Sequence, residues 1–118
     1  MKILVAEDDE SSFKLLEIGL MRAGLEVIRA YNGQEAIDKC HEADMILMDI
    51  RMPNVDGYEA TREIRKKCIE IPIIGQSANA MSGDKEKALK VGCNEYLTKP
   101  INIVELISVI KRFATHNV

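Results

Sequence analysis

Residues 43–67 read ADMILMDIRMPNVDGYEATREIRKK and contain one strand followed by one helix. The stretch Met45–Asp49 (MILMD) is a nearly continuous apolar run, which is typical of a strand that is covered on both faces. Residues 58–68 carry Tyr58, Thr61 and Ile64 at steps of three, which predicts a helix with one buried face. This unit therefore predicts a parallel sheet packed between helices.

The same alternation runs through the whole chain. Strands are predicted at 2–6, 26–30, 45–49, 73–76 and 95–97, and helices at 11–23, 34–40, 58–68, 84–91 and 102–113. Strict strand–helix alternation implies right-handed crossovers and helices on both faces of the sheet. A closed barrel needs eight such units. We therefore predict an α/β fold with a doubly wound five-stranded parallel sheet.

Helix starts carry recognisable signals. Asp9 is a candidate N-cap for the first helix, and Asn32 with Glu35 and Asn102 with Glu105 fit capping boxes. The helix at 84–91 has only a thin apolar stripe, so we expect it to be the loosest of the five.

Length and composition restrict the class of protein. The 118 residues predict one domain, 1–118, without an effector domain, so any output must pass through its surface to another protein. A formal net charge of −3 argues against nucleic acid or an anionic membrane as the main partner. No apolar run approaches the ~18 residues of a membrane span. The cysteines Cys40, Cys68 and Cys93 lack C-x-x-C spacing, so we expect free thiols and a cytoplasmic location.

Polar residues collect where the predicted strands end. Glu7 and Asp8 follow the first strand, Asp49 ends the third, Ser77 follows the fourth and Lys99 follows the fifth. The carboxyl ends of parallel strands share one edge of the sheet, which is where the functional crevice of such folds lies.

Converging carboxylates need a cation, and the candidates are Lys99 and a divalent metal. Oxygen ligands without His or Cys select Mg²⁺, Mn²⁺ or Ca²⁺ rather than zinc. A sparse acidic cluster beside a lysine fits Mg²⁺ bridged to a phosphoryl group, with Mn²⁺ as a substitute, better than a closed calcium cage. A single Asp at a strand end is more often only a helix cap, so this prediction rests on the whole set of residues.

Four segments occur in a familiar order: ILVAEDD, ILMDIRMPNVDGYEA, IPIIGQSANAM and GCNEYLTKPI. With them, essentially the whole chain resembles a response-regulator receiver domain of the chemotaxis-regulator type. In motif style it is most similar to the receivers of hybrid sensor histidine kinases. The resemblance implies a flavodoxin-like three-layer sandwich, (βα)5, and a phosphoacceptor in two-component or phosphorelay signalling.

The resemblance also implies the site residues. Asp49 is expected to accept a phosphoryl group from a histidine kinase or a histidine phosphotransfer protein, and Lys99 to contact that group. Mg²⁺ is expected to bind Asp8, Asp49 and the backbone carbonyl of Arg51, with Glu7 acting through a metal-bound water. Such a domain is not an enzyme with an external substrate, but it catalyses its own phosphorylation and dephosphorylation.

A conformational switch is implied as well. Ser77 is expected to move toward the phosphoryl group, and Tyr96 to change its burial with it. A face formed by the fourth helix, the fifth strand and the fifth helix would then present a different surface to a downstream protein. The Lys99–Pro100 peptide bond is expected to be cis.

The chain departs from the usual family pattern in several places. Ser77 replaces the more common threonine and keeps the hydroxyl. Gln76 puts a polar side chain in a central strand, and we interpret it as facing the fourth helix, where it would affect the switch. Arg51 and Asn79 border the expected phosphoryl group and would tune its lifetime.

Other signals are interpreted as structural. His41 and His116 lie far from the strand ends, the basic run 62–67 is interpreted as a solvated helix face, and Cys93 as a packed side chain.

Two other functions fit the sequence less well. An aspartate-nucleophile phosphohydrolase usually carries a second aspartate two residues after the first, where this chain has Arg51. A non-phosphorylated interaction module would be favoured if the acids, Ser77 or Lys99 were missing, and all are present.

Overall fold

The computed structural model describes residues 1–52, 55–78 and 83–116, with Thr115 and His116 described by their backbone only. The strands are β1 (Lys2–Ala6), β2 (Glu26–Ala30), β3 (Met45–Asp49), β4 (Ile73–Ser77) and β5 (Glu95–Thr98). The helices are α1 (Glu10–Arg22), α2 (Gly33–Lys39), α3 (Gly57–Lys67), α4 (Asp84–Val91) and α5 (Ile103–His116), and a 3₁₀ turn at Cys40–Glu42 follows α2.

One sheet contains all five of these strands in the order β2-β1-β3-β4-β5, with every neighbouring pair parallel. The prediction of a doubly wound five-stranded parallel sheet is therefore confirmed, with small shifts at the ends of the elements. None of the helices in the described ranges combines the length and apolarity needed to cross a bilayer.

The sheet lies between two apolar layers, and alternate strand side chains belong to opposite layers. The layer on the α1 and α5 side contains Val5, Leu47, Ile74, Leu20 and Leu106 among others. The layer on the α2, α3 and α4 side contains Leu4, Met48, Ile64, Ala88 and Tyr96 among others. Complete burial of one such leucine contributes roughly 1.5–3 kcal/mol to folding.

The predicted helix caps are present. Asp9 Oδ2 accepts a hydrogen bond from the Ser12 amide at 2.8 Å, and Asn32 Oδ1 accepts one from the Glu35 amide at 2.9 Å. Asn102 Oδ1 accepts from the Glu105 amide at 3.1 Å. These bonds satisfy amides that have no partner within the helix, and each is worth roughly 1 kcal/mol.

Gly57 lets α3 begin directly behind the end of β3. A Cβ at this position would lie 2.5 Å from the Ile50 Cα and 2.6 Å from the Asp49 carbonyl oxygen. The Gly57 amide instead donates to the Ile50 carbonyl at 3.0 Å. Asp56 caps the helix by accepting from the Glu59 amide at 2.9 Å. The backbone that follows Asp49 is thereby held in place.

Arg65 does not fit the interpretation of 62–67 as a solvated face. Its half-buried guanidinium donates to the Gly92 carbonyl at 2.9 Å, to the Ile71 carbonyl at 2.5 Å and to Asn94 Oδ1 at 2.6 Å. The interpretation is wrong for this residue. The backbone carbonyls that follow α3 and α4 have no amide partner within a helix, and the Arg65 guanidinium donates hydrogen bonds to them. Lys66 and Arg62, by contrast, are exposed.

Gln76 lies on the α1 and α5 side of the sheet, so its interpretation as facing the fourth helix is wrong. It shares a strand face with Ile74, and it lines a cavity of about 420 Å³ together with Leu16, Pro100 and Ile101, among others. The residue on the α4 side is Gly75, whose missing Cβ would be 3.6 Å from the Tyr96 ring. Among the described residues, neither Gln76 Oε1 nor Nε2 has a hydrogen-bond partner.

Candidate functional site

Three carboxylates converge at the carboxyl ends of β1 and β3. Glu7, Asp8 and Asp49 each offer an oxygen within 4.8 Å of the other two. Glu7 and Asp49 are buried, whereas Asp8 is exposed. The structure therefore brings together the predicted acids, with one open side at Asp8.

Lys99 joins two of these acids from the end of β5. Its Nζ lies 2.9 Å from Glu7 Oε1 and 3.0 Å from Asp49 Oδ2. The contact between Lys99 and Glu7 is an ion pair whose angles do not fit a hydrogen bond. Among the described residues, Glu7 Oε1 therefore accepts no hydrogen bond. Of the two candidate cations, the lysine is thus already in contact with the cluster.

Burial sets the electrostatics of this pair. It raises the pKa of Glu7 to about 7, with Lys99 opposing and Asp49 adding to the rise. Burial also acts to lower the pKa of Lys99, but its contacts with the carboxylates of Glu7 and Asp49 outweigh that effect and hold the pKa above its usual value. Lys99 is therefore a permanent positive charge, while Glu7 titrates near neutrality.

Backbone hydrogen bonds fix the edge on which these groups lie. The Ile50 amide donates to the Gln76 carbonyl at 2.9 Å, and the Lys99 amide donates to the Ser77 carbonyl at 2.9 Å. The Arg51 amide donates to Asp49 Oδ1 at 3.0 Å. The Lys99–Pro100 bond is cis, as expected.

Arg29 of β2 positions the loop that carries Glu7, a role that the sequence pattern did not reveal. Its Nε and one terminal nitrogen donate to the Glu7 carbonyl at 3.3 and 3.1 Å. The guanidinium lies 4.2 Å from the centre of the Phe13 ring and 4.0 Å from that of Tyr31. The available signal was the charged Arg29 among the apolar residues Val27, Ile28 and Ala30 of the predicted strand.

Ser77, the predicted switch hydroxyl, is tied to the start of α4. Its Oγ donates to Asp84 Oδ2 at 3.1 Å, and the Tyr58 hydroxyl donates to Asp84 Oδ1 at 2.6 Å. Arg51 completes the cluster with a guanidinium nitrogen 3.1 Å from Asp84 Oδ1. The hydrogen bond from Tyr58, followed by those from Ser77 and Arg51, holds the pKa of Asp84 below its usual value despite burial.

The sequence pattern did not reveal this cluster, in which Asp84 is the first residue of α4. Arg51, the residue two positions after Asp49, makes its ion pair with Asp84. At the position where a phosphohydrolase carries its second aspartate, this chain therefore has an arginine whose side chain pairs with Asp84.

The remaining predicted residues are placed as follows. Tyr96 is buried in the layer beneath α4, and Cys93 is buried and packed as expected. His41 is exposed in the 3₁₀ turn before β3, at the opposite edge of the sheet. Asn79 and the side chain of His116 lie outside the described residues.

The donor set at the sheet edge fits a hard divalent cation. The side-chain ligand atoms of this cluster are all carboxylate oxygens, which suit Mg²⁺, and the three acids carry more negative charge than Lys99 offsets. The exposed side of Asp8 leaves room for the waters that Mg²⁺ retains.

The chain belongs to the response regulator receiver domain family, whose model matches residues 3–111. It is 45% identical, over an alignment of 122 positions, to hybrid signal transduction histidine kinase I of Dictyostelium discoideum. That match covers 92% of this chain and 7% of the kinase. The chain is thus a receiver domain of two-component or phosphorelay signalling, a family of signalling domains.

Solved structures agree with this assignment. The receiver domain of sensor histidine kinase PA1611 from Pseudomonas aeruginosa PAO1, with magnesium coordinated in its active-site cleft, matches with a TM-score of 0.88 and 39% identity over 94% of both chains. A second match comes from the complex of the Saccharomyces cerevisiae phosphotransfer protein Ypd1 with the receiver domain of Ssk1. It has a TM-score of 0.83 and 32% identity over 90% of this chain and 83% of the other.

Proposed function

We propose that Asp49 is the phosphoacceptor of this receiver domain and that its donor is a phosphohistidine on a kinase or a phosphotransfer protein. The observation that supports this most directly is the position of Asp49. It lies at the end of β3, where one of its oxygens is within 4.8 Å of a carboxylate oxygen of Asp8 and its Oδ2 is 3.0 Å from the ammonium of Lys99. The Ssk1 receiver, to which this chain is similar, is bound to such a phosphotransfer protein.

The transfer is a displacement at phosphorus. An Asp49 carboxylate oxygen attacks the phosphorus, the O–P bond forms, and the N–P bond of the phosphohistidine breaks with its electron pair remaining on the imidazole. The domain contributes position and charge, because the transferring group has little need of acid or base. Attack by water on the same phosphorus would later release inorganic phosphate and restore Asp49.

Two groups of residues would offset the charge on the transferring group. Asp8, Asp49 and the Arg51 carbonyl would hold Mg²⁺, with Glu7 acting through a bound water, and the ion would neutralise phosphoryl oxygens when bound. Lys99 would exchange part of its present contact with Glu7 and Asp49 for a phosphoryl oxygen. Its raised pKa keeps it charged for this role.

Ser77 would convert phosphorylation into a change of surface. Its hydroxyl now donates to Asp84, the first residue of α4. If Ser77 turned to a phosphoryl oxygen on Asp49, Asp84 would lose that hydrogen bond, and α4 has only Asp84 and Ala88 buried to hold it. A shift of α4 with Tyr96 would alter the α4–β5–α5 face, which we propose as the contact for a downstream protein in the cytoplasm.

The test uses a phosphohistidine donor. We expect ³²P-labelled phosphotransfer protein to lose its label to this chain in the presence of Mg²⁺, and Asp49→Asn to accept none. Label on Asp49→Asn equal to that on the wild type would refute Asp49 as the acceptor. Transfer that proceeds at the same rate in EDTA would refute the metal requirement.

A further inference from the structure

Two thiols meet at the edge of the sheet opposite the acidic site. Cys40 Sγ lies 3.0 Å from Cys68 Sγ, and both cysteines are free. Cys40 starts the 3₁₀ turn that follows α2, and Cys68 directly follows α3. The contact thus joins the ends of two neighbouring helices across 28 positions of sequence.

The two thiols differ in exposure. Cys40 is 1% exposed within the α2–α3 layer, whereas Cys68 is partly exposed. Burial, with a further contribution from the Cys68 thiol, raises the pKa of Cys40 to about 11. An oxidant from solvent therefore reaches Cys68 first, and Cys40 is the second thiol that lies against it.

We propose that Cys40 and Cys68 form an oxidation site that takes a hydroperoxide as co-substrate and closes to an intramolecular disulfide. Cys68 Sγ attacks one peroxide oxygen, the O–O bond breaks, and a sulfenic acid and one water form. Cys40 Sγ then attacks the Cys68 sulfur, the S–S bond forms, and the sulfenic oxygen leaves as a second water with the proton of Cys40. In sum, two thiols and one H₂O₂ give one disulfide and two waters.

The geometry requires little rearrangement for this step. A disulfide has an S–S length of roughly 2.05 Å, so the sulfurs need to approach by about 1 Å. The third thiol, Cys93, is 5% exposed, and its Sγ lies 3.9 Å from Thr61 Oγ1 on the α3–α4 side. It offers an internal control, because it has the same chemistry without the exposed sulfur partner.

The experiment treats the native, unphosphorylated chain with H₂O₂ in the absence of Mg²⁺, so its result is independent of the proposed phosphoryl transfer. We expect a mass loss of about 2 Da, a fall in titratable thiols from three to one in denaturant, and a Cys40–Cys68 linked peptide that dithiothreitol releases.

Matched variants make the test specific. Cys93→Ser should still lose about 2 Da, whereas Cys68→Ser and Cys40→Ser should not. Cys68→Ser is the safer of the last two, because position 68 is partly exposed whereas Cys40 is buried. Three surviving thiols after treatment, oxygen added to Cys68 without a cross-link, or loss of the cross-link in Cys93→Ser would each overturn the proposal.

Discussion

Replacing Gln76 with leucine should stabilise the protein. Gln76 has no exposed surface, and among the described residues neither of its amide atoms has a hydrogen-bond partner. A buried polar group without a partner costs roughly 1–3 kcal/mol. Leucine removes the amide at a position that shares the apolar α1–α5 layer with Ile74 and Leu97.

The size of the effect follows from two opposing contributions. Leucine has one heavy atom fewer than glutamine, which costs at most about 1 kcal/mol in lost contacts beside the cavity. The net gain expected for Gln76→Leu is therefore up to about 2 kcal/mol, or up to roughly 8 °C in melting temperature for a domain of this size.

Urea unfolding measures the gain directly, since the midpoint should rise while the slope stays constant. Gln34, the other glutamine of the chain, is exposed and provides the control. Gln34→Leu should stay within about 0.5 kcal/mol of the wild type. A Gln76→Leu variant that is less stable than the wild type would show that the amide has a partner in solution and that its burial carries no penalty.

Three further predictions concern the acidic site. Burial raises the pKa of Glu7 from 4.5 to about 7, so in metal-free protein the contribution of Glu7 to stability is complete below pH 4.5 and is lost as the pH rises through 7. In urea titrations with EDTA, the free energy of unfolding of Glu7→Gln relative to the wild type should therefore grow by roughly 3 kcal/mol up to pH 8. A difference that does not change with pH would contradict the raised pKa. Mg²⁺ at ten times its dissociation constant should stabilise the wild type by about 1.4 kcal/mol in thermal melts, and Asp8→Asn should lose this gain; an equal gain would remove Asp8 from the ligand set. Gly57→Ala should cost more than about 2 kcal/mol in the same melts, because its Cβ would lie 2.5 Å from the Ile50 backbone and 2.6 Å from that of Asp49, and a neutral effect would mean that α3 can move away.

The fold was predictable because its signals are local and consistent. The run Met45–Asp49 is buried at every position, as a strand between two layers must be, and Asp9, Asn32 and Asn102 each cap the helix that follows them. These patterns depend on residues within a few positions of each other, so they can be seen in the chain itself.

The residues that were missed depend on contacts between distant segments. Asp84 meets Tyr58 only because α3 and α4 pack side by side, and Arg29 reaches the Glu7 carbonyl only because β1 and β2 are neighbours. The side of the sheet that Gln76 faces follows from the register of β4. The residues around Gln76 do not reveal this register, because apolar residues occur on both faces of the strand. Asp49 and Lys99 could be predicted as site residues because the carboxyl ends of parallel strands lie along one edge of the sheet.

Intact-mass measurement with acetyl phosphate and Mg²⁺ shows directly whether Asp49 accepts a phosphoryl group. We expect one added phosphoryl group, about 80 Da, on the wild type and on Asp38→Asn, whose substituted residue is exposed on α2. We expect no addition on Asp49→Asn and none on the wild type in EDTA. A phosphoryl adduct on Asp49→Asn equal to that of the wild type, or no adduct on any form, would contradict the role of Asp49 as phosphoacceptor.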